Sequence, residues 1–256
     1  MLTSLSPVTF DRAVPFFDET RGLPSHVHKQ VVDMLAMRLD GASQVLEMGA
    51  GRGRFAIPLA TAGIPITGID ISLPMIAKLL EDQDTKHRVK VIRADAVALP
   101  FADGSFDATF ACHVLHLITD WRCAVEEMVR VVRPGGQVLF DLGHGSSEQR
   151  DFDNWITARF GDARKGVTEC ADVDELLSSL GGKRVDIPEF TFESVRSPAT
   201  FIDRVLADRY SFTWSLNADQ RQQLGNELKV WAEARYGDID STISMHTTVV
   251  WRGYEF

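Results

Sequence analysis

Val45-Leu46-Glu47-Met48-Gly49-Ala50-Gly51-Arg52-Gly53-Arg54-Phe55 is a short apolar run that ends in an acid and opens into three alternating glycines. The run suits a buried strand, and the segment that follows, Phe55 to Ala62, has helical composition. Glycines at such a strand-to-helix turn let the backbone bend tightly and approach a ligand closely. In an open parallel sheet, ligands bind beyond the carboxyl ends of the strands. A dinucleotide fingerprint, G-x-G-x-x-G, would need glycine at position 54, where Arg54 stands, and would not include the carboxylate of Glu47.

The same alternation continues outward. Pro65 to Ile69, Val89 to Arg93, Ala108 to Cys112 and Gln137 to Asp141 read as further strands. Leu73 to Leu80 and Ala124 to Val132 read as helices, the second stopped by Pro134-Gly135-Gly136. Short apolar strands alternating with helices predict crossover connections and a mostly parallel sheet buried on both faces. Upstream, Val27, Val31, Val32, Leu35 and Leu39 form a helical stripe for which Ser25 is the expected N-cap. After Gly143 the rhythm changes. Ser147 to Phe160, Val173 to Leu180, Ala199 to Tyr210 and Ala218 to Tyr236 look helical, the last capped by Asn217 with Gln220 three residues on. Val185 to Val195 and Ser241 to Tyr254 look extended, and both are expected to complete the first sheet.

The 256 residues are 45% hydrophobic and 25% charged, an ordinary balance for a globular chain that excludes disorder and a membrane bundle. No run approaches the ~20 apolar residues of a membrane span. A net charge of −9 argues against a nucleic-acid partner held by its phosphates. Three irregularly spaced cysteines are no disulfide framework and fit a reducing, cytoplasmic setting, as does the lack of a signal peptide at the start.

Two more acids stand at strand ends. Asp70, in Gly68-Ile69-Asp70-Ile71-Ser72, closes the second strand, where a carboxylate can accept from both hydroxyls of a ribose. Asp95, in Arg93-Ala94-Asp95-Ala96, follows the third and can accept from an adenine amine. Glu47, Asp70 and Asp95 thus gather at one mouth of the sheet, which repels a pyrophosphate and suits a cation bearing hydroxyl and amine donors. S-adenosyl-L-methionine, with its sulfonium, ammonium, ribose diol and adenine, has that chemistry.

With these residues in place, the chain resembles the class I S-adenosylmethionine-dependent methyltransferases, in the type-11 or ubiquinone/menaquinone-biosynthesis-like branch. The resemblance rests on Glu47 to Gly53, Gly68 to Ser72 with Met75, and Arg93 to Asp95. It extends through Leu99-Pro100-Phe101-Ala102-Asp103-Gly104-Ser105-Phe106-Asp107, Val114-Leu115-His116 and Arg130-Val131-Val132-Arg133-Pro134-Gly135-Gly136. It implies a Rossmann-like α/β fold with a seven-stranded, mostly parallel sheet, helices on both faces, an antiparallel last strand and a helical cap after strand five. It further implies that Glu47, Gly49 and Gly51 line the methionine moiety, with Ala50 in the same cofactor-binding turn. Asp70 would hold the ribose, Ile71 and Met75 would lie against the adenosine, and Asp95 and Ala96 would bracket the adenine. Cys112 and His113 would sit beside the sulfonium. Phe10 to Arg21 resembles an arm that closes over the cofactor, with Arg21 reaching the methionine carboxylate.

The expected organisation is one methyltransferase domain over residues 1–256. Within it are an arm and helix at 1–40, a cofactor-binding core at 41–143, a helical cap with strand six at 144–240 and a closing strand at 241–256. His113 is the candidate base, since a neutral imidazole takes a proton near neutral pH, although methyl transfer can proceed by alignment alone. Cys112, His113, His116 and Cys123 lack the compact paired spacing of a zinc site, so no metal is expected. The acceptor is expected to be a small molecule, an apolar one being suggested by the aromatics after Gly143. A catalytically silent cofactor-binding regulator is the alternative, ahead of an NAD(P)-dependent oxidoreductase. Acceptor identity, oligomeric state and pathway are not written in these motifs.

Overall fold

The computed structural model describes residues 11–17, 22–83, 86, 88–143, 145–160 and 166–256. The chain opens with a 3-10 turn at Asp11–Phe16 and helix α1 at Ser25–Arg38. Then come β1 (Val45–Met48), α2 (Ala56–Thr61), β2 (Ile66–Asp70), α3 (Leu73–Asp82), β3 (Lys90–Arg93), β4 (Phe106–Cys112), α4 (Trp121–Val131) and β5 (Val132–Asp141). The later half holds β6 (Gly145–Ser146), α5 (Ser147–Phe160), α6 (Cys170–Ser179), β7 (Lys183–Val185), β8 (Phe190–Arg196), α7 (Pro198–Leu206), α8 (Ala218–Tyr236), β9 (Ile243–Val249) and β10 (Arg252–Glu255).

Seven strands form one sheet in the order β3-β2-β1-β4-β5-β10-β7. β1 to β5 run parallel, while β10 is antiparallel to both β5 and β7. β1 and β4 are buried along their whole length, as expected of strands covered on both faces. Side chains alternate between two cores. Val45 and Phe110 meet α1 and α2 through Val31, Leu35 and Leu59, whereas Leu46 and Met48 share a cluster with Val125 and Met128 of α4 and Val173 and Leu177 of α6. A third core, built on Phe152, Phe201, Val205 and Leu228, joins α5, α7 and α8. Among the described residues no helix is long and apolar enough to cross a membrane.

Four expectations need correction. Ser25 is the first residue of α1 and makes no cap; Pro24, whose fixed backbone suits a helix entrance, holds that place. Pro134-Gly135-Gly136 does not stand before β5 but lies inside it. The register jumps from Phe106 opposite Val132 to Ala108 opposite Gln137, and Gly136 passes so close to Asp107 that a Cβ would sit 2.4 Å from its carbonyl oxygen. Residues 241–256 hold two strands rather than one. Finally, β8 and β9 do not complete the first sheet: they pair with each other over seven residues and, with β6, form a separate antiparallel sheet in the order β6-β9-β8. The chain changes sheet at Trp251, whose buried ring meets Phe55 and Phe110, so of the two strands in 241–256 only β10 enters the main sheet. The cap is therefore helices plus a small sheet. Asn217 and Gln220 do form the expected reciprocal cap on α8.

Candidate active site

The turn after β1 holds Gly49, Gly51 and Gly53 at φ 71°, 54° and 82°, a region that penalises a side chain. Gly49 is also sterically closed, because a Cβ there would lie 2.5 Å from a methyl of Val114. The Ala50 N–H donates to Ile69 at 2.9 Å, and the Gly51 N–H donates to Asp70 Oδ2 at 2.8 Å. The Ser72 N–H donates to Asp70 Oδ1 at 2.8 Å. One carboxylate thus ties the glycine turn to the end of β2. Burial pushes the Asp70 carboxyl up from its ordinary range, and the N–H donors partly oppose the shift. Ser72 accepts from the Met75 N–H and donates to Asp11 Oδ1 at 2.6 Å, so the N-terminal turn leans on the same corner. That turn also reaches the cap, through an Arg12–Asp208 ion pair at 3.2 Å and Arg12 stacked over Trp214.

Glu47 is 2% exposed, and its Oε2 has no hydrogen-bond partner among the described residues. Burial drives its pKa well up, against the opposing pull of the Arg54 charge and the Ala56 N–H. Arg54 lies over the Phe55 ring and donates from Nη2 to Cys112 Sγ at 3.4 Å. The Cys112 thiol, itself pushed up by burial, donates to Asp141 Oδ2 at 3.6 Å. Asp141 ends β5, accepts from the Gly143 N–H, and is raised by burial to about 6. His113 has a left-handed backbone, φ 54°, pinned by its N–H donating to the Asp141 carbonyl at 2.9 Å. A non-glycine residue held there stores strain, and such strain gathers at functional sites. Its ring packs on Gly143, where a Cβ would lie 2.7 Å away, and stands 4.7 Å from the His116 ring.

These groups surround one cavity at the carboxyl ends of β1, β2 and β4. Glu47, Gly49, Ala50, Gly51, Asp70 and Ile71 line it, as do Met75, Asp95, Ala96, Cys112 and His113. Arg21, the remaining expected site residue, lies outside the described residues. Asp95 is exposed and accepts from the Val97 N–H at 3.2 Å.

Residues 46–140 match the model of a family described as a methyltransferase domain. This stretch is similar to a methyltransferase domain. The chain is 35% identical over 141 residues to a demethylmenaquinone methyltransferase of Paenarthrobacter aurescens, covering 53% of this chain and 54% of that one. It is 34% identical over 140 residues to a malonyl-[acyl-carrier protein] O-methyltransferase of Pseudescherichia vulneris, covering 54% of this chain and 53% of that one. The chain thus spans about half the length of the curated relatives it matches. In fold it is similar to the YcgJ protein of Bacillus subtilis, with TM-score 0.63, 18% identity, and coverage of 91% and 99% of the two chains.

Phe17, within the arm expected to close over the cofactor, adds an aromatic wall from the N-terminal side. The sequence reading gave no site role to Arg54 and Val114, which line the cavity, or to Asp141, which stands behind Cys112. Asp141 had a visible signal, an acid closing a strand as Asp70 does and Glu47 nearly does. Arg54 had a weaker one, a base where the turn enters its helix.

Proposed function

We propose that the chain is an S-adenosyl-L-methionine-dependent methyltransferase acting on a small molecule. The observation that carries the proposal is the buried Glu47 carboxylate, with one oxygen unpartnered among the described residues, in a cavity whose wall also holds Asp70 and Asp95. A buried acceptor without a donor is costly unless a ligand supplies one. Glu47 Oε2 suits an ammonium, Asp70 a ribose diol, and Asp95 with Ala96 an adenine edge. Ile71 and Met75 give the adenosine an apolar bed. Gly49, Ala50 and Gly51 keep the turn slim enough for close approach. Arg54 offers a guanidinium to the carboxylate of the same amino-acid end, a task that Arg21 would share.

When bound, S-adenosylmethionine supplies an electrophilic methyl group on a sulfonium. The protein's own contribution is alignment and exclusion of water. His113 lines the same cavity and is the residue assigned there to take the acceptor's proton. On this reading 41–143 holds the cofactor, the arm within 1–40 and the cap at 144–240 cover it, and the whole chain works as one domain. A net charge of −9 favours a small acceptor over a nucleic acid, and three free thiols suit the cytoplasm.

Calorimetric titration with S-adenosylhomocysteine and with NADH tests the reading. Binding of the first alone is expected; binding of NADH alone would overturn it. Asp70→Ala should abolish most of the S-adenosylhomocysteine affinity while the protein stays folded, and unchanged affinity would remove Asp70 from the ribose.

A further inference from the structure

Three neighbouring strands end in a row of polar side chains on one face of the sheet. Glu47 of β1 pairs with Phe110 of β4, two residues before Cys112, and Cys112 pairs with Asp141 of β5. Residues in register, and residues two apart along a strand, point to the same face. Glu47, Cys112 and Asp141 therefore lie side by side, on the face that also carries Val45, Phe110 and Leu139. All three are buried. Arg54 reaches the row from the glycine turn. It donates from Nη2 to Cys112 Sγ at 3.4 Å, and the thiol donates to Asp141 Oδ2 at 3.6 Å. Arg54 and Cys112 line the cavity, whereas Asp141 stands behind Cys112.

The chain of contacts runs one way, from guanidinium to sulfur to carboxylate. A charged acceptor at its far end polarises the S–H bond and makes the sulfur a better acceptor for Arg54. Burial raises the Asp141 carboxyl to about 6, so at neutral pH the group is charged at a cost to the fold. Asparagine could accept from the Gly143 N–H without that cost. What only the carboxylate supplies is a negative charge behind the thiol. An arginine side chain has many rotamers, and one fixed before its ligand arrives avoids an ordering cost on binding.

Resting on the cofactor reading of the cavity, we propose that Asp141 is a positioning residue that holds the Arg54 guanidinium, through the Cys112 thiol, at the amino-acid end of the cofactor. It touches neither cofactor nor acceptor. Its effect is confined to ligands that carry the tail which Arg54 meets.

Calorimetry on the full chain tests the assignment with S-adenosylhomocysteine and with 5′-methylthioadenosine, which lacks that tail. Asp141→Asn should weaken S-adenosylhomocysteine about threefold to tenfold and change 5′-methylthioadenosine less than about twofold, since only part of one charged contact is lost. In an Arg54→Met background Asp141→Asn should weaken S-adenosylhomocysteine no further, because the group through which it acts is gone. Cys112→Ala should reproduce the Asp141→Asn pattern. Cys112→Ser should restore the affinity, because its hydroxyl can accept from Arg54 and donate to Asp141. Equal losses on the two ligands, or an undiminished Asp141→Asn effect beside Arg54→Met, would overturn the assignment. So would wild-type affinity in Asp141→Asn or Cys112→Ala, or no recovery in Cys112→Ser. A wild-type protein that binds no S-adenosylhomocysteine would overturn the cofactor reading itself, and the assignment with it.

Discussion

Replacing Arg54 by methionine keeps an apolar stem over the Phe55 ring and deletes the guanidinium. The main-chain role of the residue survives, because the bond from His28 Nε2 at 3.0 Å goes to the Arg54 carbonyl. If the guanidinium holds the carboxylate of an amino-acid tail, its loss removes a charged hydrogen bond in a partly enclosed cavity, about 1.5–3 kcal/mol. At 1.4 kcal/mol per tenfold, S-adenosylhomocysteine should then bind roughly tenfold to 150-fold more weakly. The comparison ligand is 5′-methylthioadenosine, which keeps adenine, ribose and sulfur but lacks the amino-acid tail. Its affinity should change by less than about threefold, since nothing it carries would meet Arg54. Paired titrations of wild type and variant give the four affinities. Equal losses on the two ligands would mean that Arg54 shapes the cavity rather than reading the tail. No loss on either would refute the pairing of Arg54 with Glu47 around a zwitterion.

Asp141 gives a signed pH dependence. Burial raises its folded pKa to about 6 from the ordinary 3.8, so the fold is penalised where the group is charged. The penalty is present above about pH 6, approaching ~3 kcal/mol, and is relieved as the pH falls toward 4. Asp141→Asn should therefore raise the melting temperature more at pH 8 than at pH 5; a gain independent of pH would contradict the burial argument. Arg130 clasps Glu127 through two nitrogens at 2.6 and 2.8 Å and donates to the carbonyls of Leu99 and Phe101. Arg130→Ala should cost about 1–3 kcal/mol, seen as a melting point lower by roughly 3–10 °C, and a change below 1 °C would show the clasp to be idle. Gly49→Ala adds left-handed strain of about 1–2 kcal/mol and drives Val114 toward the cavity, so ligand affinity should fall. Adding Val114→Ala should recover part of that loss, and failure to recover any would place the damage in the backbone alone.

The glycine turn was legible because its logic is local. Three glycines, an acid and an apolar run lie within ten residues, and their φ angles and contacts follow from that order. Asp70 was legible for the same reason, since the strand that carries it points to the mouth of the sheet. The partners of Arg54 were not. Cys112 is 58 positions away, and only the parallel packing of β1 beside β4 brings the two together. Asp141 reaches the same cluster because β5 lies beside β4. The small sheet escaped for a different reason. Burial along β8 alternates between half-buried and exposed, a pattern that fits the edge of either sheet. The choice is made by Trp251 in the core and by seven paired residues of β9, neither of which local composition reveals.

The position of β10 bears on how the chain reaches this state during synthesis. Its neighbour β5 is complete at Asp141, yet the strand that covers its free edge arrives only with residues 252–255. Until then the edge of β5 carries unpaired N–H and C=O groups, and β7, formed at 183–185, has no strand through which to join the sheet. Closure across more than a hundred residues is a slow, entropically costly event. On the ribosome, β1 to β5 can assemble early, while the far edge of the sheet waits for residues 252–255. A stall in elongation between these two points would leave the nascent chain with an open pairing edge, which is where aggregation would begin.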